Sequence, residues 1–317
     1  GLTAGLHELL HAGGVGSEAE VPGTVDEPSV EASAAGGDPD PSVVSPMTDL
    51  PAGAAFGTLV HALLEEVDFT APDLRDRLVE QATAADSWRT VGVHADVLAD
   101  AMTSSLSTPL GPLAYGRRLV DVSPGDRLDE LEFELPLLGG DTTTGEARVG
   151  QIAGLLREHL PAGDPLAAYA DDLAVPLLAS RELRGFLTGS IDLVLRVHGA
   201  DDAPRYLVVD YKTNWLGAGE TLTAWHYRPD ALADAMREAH YPLQALLYSV
   251  ALHRFLRWRQ RGYDPEVHLG GVLYLFLRGM CGPETPVVEG VPCGVFSWKP
   301  PSALVVALSD LLDRGAP

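Results

Sequence analysis

Lysine is nearly missing from this chain: Lys212 and Lys299 stand against twenty arginines in 317 residues. Cysteine is as scarce. Cys281 and Cys293 are too few for a disulfide framework, or for a four-cysteine zinc or iron–sulfur site, so a reducing cytoplasm is the default location. No apolar run approaches the ~18 to 20 residues of a membrane span. There is no initiating methionine and no basic-then-apolar leader, so the chain reads as a fragment of a longer protein. It has no GxxxxGK[ST] phosphate loop, no HExxH helix and no Ser–His–Asp order, so those three chemistries lack their residues. Positive charge is short as well. A formal charge of −23 argues against a free-standing nucleic-acid binder, because phosphate contact depends on Lys and Arg. The distribution softens that objection: residues 1–50 carry nine acidic residues and no Lys or Arg, leaving 36 acidic against 22 basic. A basic cluster, 253-HRFLRWRQR-261, lies late in the chain. Any nucleic acid is therefore expected to arrive through a partner or a neighbouring domain.

What is present is enough apolar material, 46%, for a substantial core. Residues 1–10 read as the end of a preceding helix. Residues 11–46 are Gly, Pro, Ser, Ala and acid, which cannot offset the entropy of ordering. The expected organisation is a flexible acidic, Pro-rich linker over 1–46 and a folded domain over 47–317. Phe56, Leu59, Val60, Leu63, Leu64 and Val67 form the stripe of an amphipathic helix. Further helices are expected within 73–104, and another at 147–160. Leu131, Phe133, Leu135 and Leu137 alternate with polar residues as in a half-buried strand. Strands follow at 186–197 and 205–212, then a loop carrying Trp215 and Trp225. A long helix is expected at 241–261, strands at 269–278 and near 295–298, and a closing helix at 302–314. Helices before and after a small sheet imply an α/β or α+β domain.

The chemistry concentrates where 185-GFLTGSIDLVLRV-197 meets 206-YLVVDYKTNW-215. If these strands form a hairpin about residue 201, partners sum to about 402 and Asp192 lies across from Asp210, their Cβ atoms ~5 Å apart. Alternation then gives Ser190 and Lys212 that same face, and Ile191, Leu193, Leu195, Val197, Leu207 and Val209 the other. Two facing carboxylates repel unless a proton or cation joins them. A hard divalent ion satisfies both, and an ammonium beside it orients water and offsets charge in a phosphoryl-type transition state. Spacing alone fits equally well a surface hairpin whose Asp and Lys make a weak ion pair. His61, at the edge of the first helix stripe, reads by itself as a packed or capping residue. Gln244 and Tyr248 are i, i+4 neighbours, either a polar gap in a buried helix or part of a site.

GxxD (Gly189 to Asp192), VVDYKTN (Val208 to Asn214) and QxxxY (Gln244 to Tyr248), in that order, resemble the motifs of the PD-(D/E)XK nucleases. More closely, the chain resembles the C-terminal nuclease domains of RecB-type subunits of RecBCD helicase–nucleases. The segment 53-GAAFGTLVHALLE-65 is similar to their opening helix, and the likeness covers roughly residues 47 to 317. It implies a restriction-endonuclease-like α/β core, a small mixed sheet flanked by helices. It implies that Asp192, Asp210 and His61 hold the metal with the Tyr211 carbonyl assisting, and that Lys212 is the catalytic lysine. Gln244 and Tyr248 would lie against DNA or support the lysine. The expected ion is Mg²⁺, with Mn²⁺ as a substitute that tolerates imidazole better. The expected partners are DNA strands delivered by a helicase, helicase domains elsewhere in the same chain, and RecC- and RecD-type subunits. A second reading is a catalytically silent docking or regulatory module of such a complex, motivated by the acidic charge and the basic helix end.

Overall fold

A computed structural model describes residues 43–85, 91–138, 147–183, 185–199 and 202–314. The first helix, α1 (Ala54–Glu66), buries Phe56, Leu59, Val60, Leu63 and Leu64, the stripe expected from their spacing. It is followed by α2 (Leu74–Ala84) and α3 (Ala95–Leu106). Strand β1 (Arg127–Leu137) alternates half-buried and exposed residues along almost its whole length, as befits an edge strand. Next come α4 (Val149–His159) and two short helices, α5 (Tyr169–Leu173) and α6 (Pro176–Ala179). Strands β2 (Gly185–His198) and β3 (Pro204–Lys212) form the expected hairpin. The chain then runs through α7 (Pro229–Glu238), α8 (Tyr241–Arg259), α9 (Pro265–His268) and β4 (Leu269–Phe276). A two-residue hairpin, β5 (Val287–Val288) and β6 (Val291–Pro292), precedes β7 (Val295–Trp298) and α10 (Ser302–Arg314).

The main sheet has the order β1-β2-β3-β4-β7. Only β3 and β4 are parallel, and the crossover between them carries α7 and α8. Both strands are buried on two faces, which is why they read as nearly continuous apolar runs. One face, with Val194, Val208, Val272 and Tyr274, packs on α4, α7, α8 and α10. The other, with Leu193, Leu195, Leu207 and Val209, packs on α1, α2 and α3. Helix α8 is buried almost all round from Tyr241 to His253 and forms the central rod of the first layer. The mixed sheet with helices on both faces is the α/β architecture expected.

Three sequence readings change. Residues 43–46 were expected in the linker, yet Val44 bridges Thr223 and the Ser45 N–H donates to Leu222 O at 2.8 Å. Residues 43–46 are therefore part of the packed domain, while residues 1–42 of that linker lie outside the described residues. Helix α7 was taken for loop, although Pro229 at its first turn and the buried Leu232, Ala235 and Met236 form a stripe at helical spacing. The alternation of β2 also slips. Ile191 lies in the core with Val194 and Val208, on the face opposite Leu193, although it was expected to share a face with Leu193. The slip falls at Asp192, where the β1 ladder skips one pair and Glu130 opposite adopts φ +48°.

Arg278, just after β4, is fully buried and donates to four backbone carbonyls: Thr213 (2.7 Å), Met47 (2.9 Å), Leu50 (3.2 Å) and Pro51. Its guanidinium also stands 4.8 Å from the Phe56 ring and 5.2 Å from the Trp215 ring. It joins the segment that launches α1 to the residue following Lys212. Stripping donors from buried carbonyls costs about 1–3 kcal/mol each, and lysine cannot reproduce the planar fork. Arg278→Met is expected to lower the urea unfolding free energy by about 3–5 kcal/mol, with Arg278→Lys recovering less than half.

Candidate active site

The hairpin has the expected register where it pairs, Leu193 with Val209 and Leu195 with Leu207, but the expected Asp192–Asp210 pair is not part of the ladder. Pairing stops at Leu193–Val209. Beyond it β2 stays with β1 as far as Gly185, while β3 stays with β4 as far as Lys212 opposite Phe276. The sheet forks, and the fork leaves main-chain groups of Tyr211 without a β2 partner. Asp192 replaces that partner, its Oδ2 accepting the Tyr211 N–H at 2.9 Å. From the other side of the sheet, α1 brings His61. Its Nε2 lies 3.1 Å from the Tyr211 carbonyl oxygen and its Nδ1 3.6 Å from Asp192 Oδ2. Asp210 and Lys212 point to the opposite layer, with Lys212 Nζ 2.7 Å from Asp210 Oδ2. Asp210 is 2% exposed and Lys212 7%, so this pair is desolvated, not a surface ion pair.

The two carboxylates are driven in opposite directions. Burial, opposed by Lys212 and reinforced by the charge of Asp192, leaves Asp210 pushed up to about 6. Burial also works against the Asp192 charge, but His61, Lys212 and the Tyr211 N–H together hold its carboxyl below the ordinary range. Burial alone would lower Lys212; the Asp210 carboxylate outweighs it and keeps the ammonium protonated. Acidic groups split by their surroundings beside a charged lysine are the usual sign of a reacting centre.

Among the described residues no three His, Cys, Asp or Glu side chains close on one point. A further oxygen donor is available on the main chain of Tyr211, whose carbonyl meets His61 while its N–H meets Asp192. A buried and a half-buried carboxylate, a carbonyl and an imidazole are donor types that suit a hard divalent cation, and burial is what chiefly raises Asp210.

Gln244 and Tyr248 are brought to the same end of the sheet, but inside it. Gln244 Nε2 donates to Tyr248 Oη (3.0 Å), and Tyr274 Oη donates to Gln244 Oε1 (2.9 Å). Each is 4% exposed. Tyr274 pairs with Asp210 across β3–β4, so this chain of hydrogen bonds reaches the site from behind. Sequence reasoning missed Tyr241 and Tyr274, whose rings lie 4.2 and 5.6 Å from Lys212 Nζ. Tyr241 could have been found: it lies one helical turn before Gln244. The basic cluster of α8 divides. Arg254 is held by Ser309 on α10, whereas Trp258 is 76% exposed under the Arg259 guanidinium.

The sequence pattern of the PD-(D/E)XK nuclease superfamily matches residues 39–292, and the chain belongs to that superfamily. Among individual proteins it is similar to the RecB subunit of the RecBCD enzyme of Mycolicibacterium smegmatis, at 53% identity over 99% of this chain and 29% of that protein. The Mycobacterium tuberculosis RecB subunit is 52% identical over 95% of this chain and 27% of its own length. That of Escherichia coli is 35% identical over 82% and 19%. The chain thus spans less than a third of the length of these relatives.

The glycine of GxxD has a steric reason. Gly189 lies across from Phe133, and a Cβ there would meet the ring at 2.8 Å. Phe133 in turn packs edge-on against Tyr248, ring centroids 5.9 Å apart. Gly189→Ala is expected to destabilise by about 1–3 kcal/mol through overpacking. Phe133→Leu in the same chain should restore part of that loss, measured by denaturant unfolding of the two single variants and the double variant.

Proposed function

We propose that this chain is the metal-dependent DNA nuclease part of a RecBCD-type helicase–nuclease, hydrolysing phosphodiester bonds during double-strand break repair and recombination. The observation that carries the reading is the meeting of two groups at the fork of the sheet: His61 and Asp192 on the main chain of Tyr211, and Lys212 on Asp210. Asp192, Asp210, His61 and the Tyr211 oxygen would hold Mg²⁺, with Mn²⁺ as a substitute. Bound there, the cation supplies Lewis-acid polarisation of a phosphate oxygen and lowers the pKa of water.

The protein's own groups do the rest. Lys212, kept cationic by Asp210, serves as a hydrogen-bond donor and as a countercharge for the phosphate oxygens as negative charge builds. A lysine whose pKa is raised is suited to orienting water and stabilising charge, and unsuited to removing a proton. Burial of Asp210 and Lys212 excludes bulk water, which strengthens each of these interactions. Gln244 and Tyr248 act through Tyr274 by bracing the strand that faces Asp210.

The partners proposed are DNA strands delivered by helicase domains of the same protein and RecC- and RecD-type subunits, in the cytoplasm. Two features support that setting: the similarity to RecB subunits along nearly the whole chain, and a net charge unsuited to gathering DNA alone. Among the described residues no helix is long and apolar enough to cross a membrane.

With end-labelled single-stranded DNA and Mg²⁺, Lys212→Ala and Asp210→Asn are each expected to lower the cleavage rate by about 10²–10³-fold or more, with unchanged far-UV circular dichroism. Cleavage by Lys212→Ala at the native rate would reject the assignment. Separately, Mn²⁺ is expected to raise the melting temperature of the native chain and to leave that of an Asp192→Asn/Asp210→Asn variant unmoved. Equal shifts in the two would place the metal elsewhere.

A further inference from the structure

Lys212 is held by more than its carboxylate partner. Its Nζ stands 4.2 Å from the centroid of the Tyr241 ring, and the Tyr274 ring lies 5.6 Å away. The two rings are stacked within 27° at 5.7 Å, and both are buried. From this arrangement we infer that Tyr241 is a positioning residue whose ring face seats the Lys212 ammonium at the reacting centre, with Tyr274 as the back of the seat. The consequence for cleavage rests on the nuclease reading above; the seat itself does not.

The physical case begins with the lysine. Its four-carbon stem is flexible, and a single carboxylate leaves it several rotamers. Asp210 is also an unreliable anchor, because any cation attracted to that carboxylate competes with the ammonium for it. An aromatic face attracts a cation through its quadrupole without carrying charge, and does so most strongly where water is excluded. The Tyr241 ring therefore continues to hold Lys212 when the charge balance around Asp210 changes.

The ring is itself fixed at both ends. Tyr241 begins α8, and its Oη donates to Asn214 Oδ1 at 3.3 Å. The Asn214 carbonyl accepts from Tyr227 Oη at 2.8 Å, and the Leu216 N–H donates to that same hydroxyl at 3.2 Å. The segment just after Lys212 is thereby stitched to the ring that carries its ammonium. Tyr274 is set by Gln244 through the bond already described. This gives the buried Gln244 a task that requires no contact with substrate.

The scarcity of lysine makes the seat directly observable. Selective ¹³C labelling of lysine gives two sets of side-chain signals, from Lys212 and from the exposed Lys299, which serves as an internal reference. The Lys212 Hε protons are expected upfield of those of Lys299 because of the ring current, in the native chain and in Tyr241→Phe. In Tyr241→Leu they are expected to move toward the Lys299 position. For cleavage, Tyr241→Leu should lower kcat about 10- to 30-fold, equivalent to about 1.4–2 kcal/mol, with KM within about threefold and Tyr241→Phe close to native. The inference is overturned if Lys212 shows no upfield shift, if the shift persists in Tyr241→Leu, or if Tyr241→Phe loses as much rate as Tyr241→Leu. The labelling arm needs no turnover. Native chain that shows the shifts and cuts no DNA leaves the seat standing and removes the nuclease reading alone.

Discussion

One carboxylate standing in for a strand organises this protein. Where β2 parts from β3, the sheet would leave the Tyr211 N–H buried without an acceptor, and Asp192 supplies one. The same residue ends the regular alternation of β2, faces a left-handed Glu130 on β1 and meets His61 from α1. A structural repair and a proposed metal ligand are thus one side chain. Because Asp192 is tied to the main chain of Tyr211, the carbonyl of that residue is oriented with it, and Asp210 and Lys212 are fixed one step to either side.

The electrostatics follow from that geometry. Asp192 is stabilised as a carboxylate by His61, the charge of Lys212 and the Tyr211 N–H, whereas the more deeply buried Asp210 is raised despite Lys212. Burying the Asp210 carboxylate and the Lys212 ammonium against Tyr241 and Tyr274 is costly even though the two are paired. That cost is offset by the apolar layers on both faces of the sheet. Arg278 extends the same logic outward. A fully buried guanidinium joins carbonyls of two segments that each position part of the site.

Much of this was legible in the residues. The hairpin centre at 201 follows from two apolar runs around a polar turn, and the pairs Leu193–Val209 and Leu195–Leu207 have that register. The α1 stripe and α10 lie where period puts them, because each buries one continuous face, and β7 is a short run buried on both faces. The slip at Asp192 was not legible. Regular alternation assumes a partner on each side, and the fork removes one. Nor was the depth of Gln244 and Tyr248, since a polar pair on a helix face looks the same whether it meets solvent or a second layer. Helix α7 was legible and overlooked, its apolar stripe masked by neighbouring acidic and basic residues.

By itself the sequence determined the chemistry available: two aspartates, one lysine in a chain almost without lysine, and a histidine on an amphipathic helix. It also determined the order of elements, because hydrophobic period and turn composition are local properties of the chain. Only the tertiary structure decided how those groups meet. The parallel pairing of β3 with β4 brings Tyr274 to Asp210, and a single extra residue at the Tyr206–Leu207 step sets that register. The crossover carries Tyr241 onto Lys212, and the packing of α1 brings His61 across 150 residues to the carbonyl of Tyr211. These contacts join residues that share no local pattern, so their placement depends on the closing of two hydrophobic layers around one sheet.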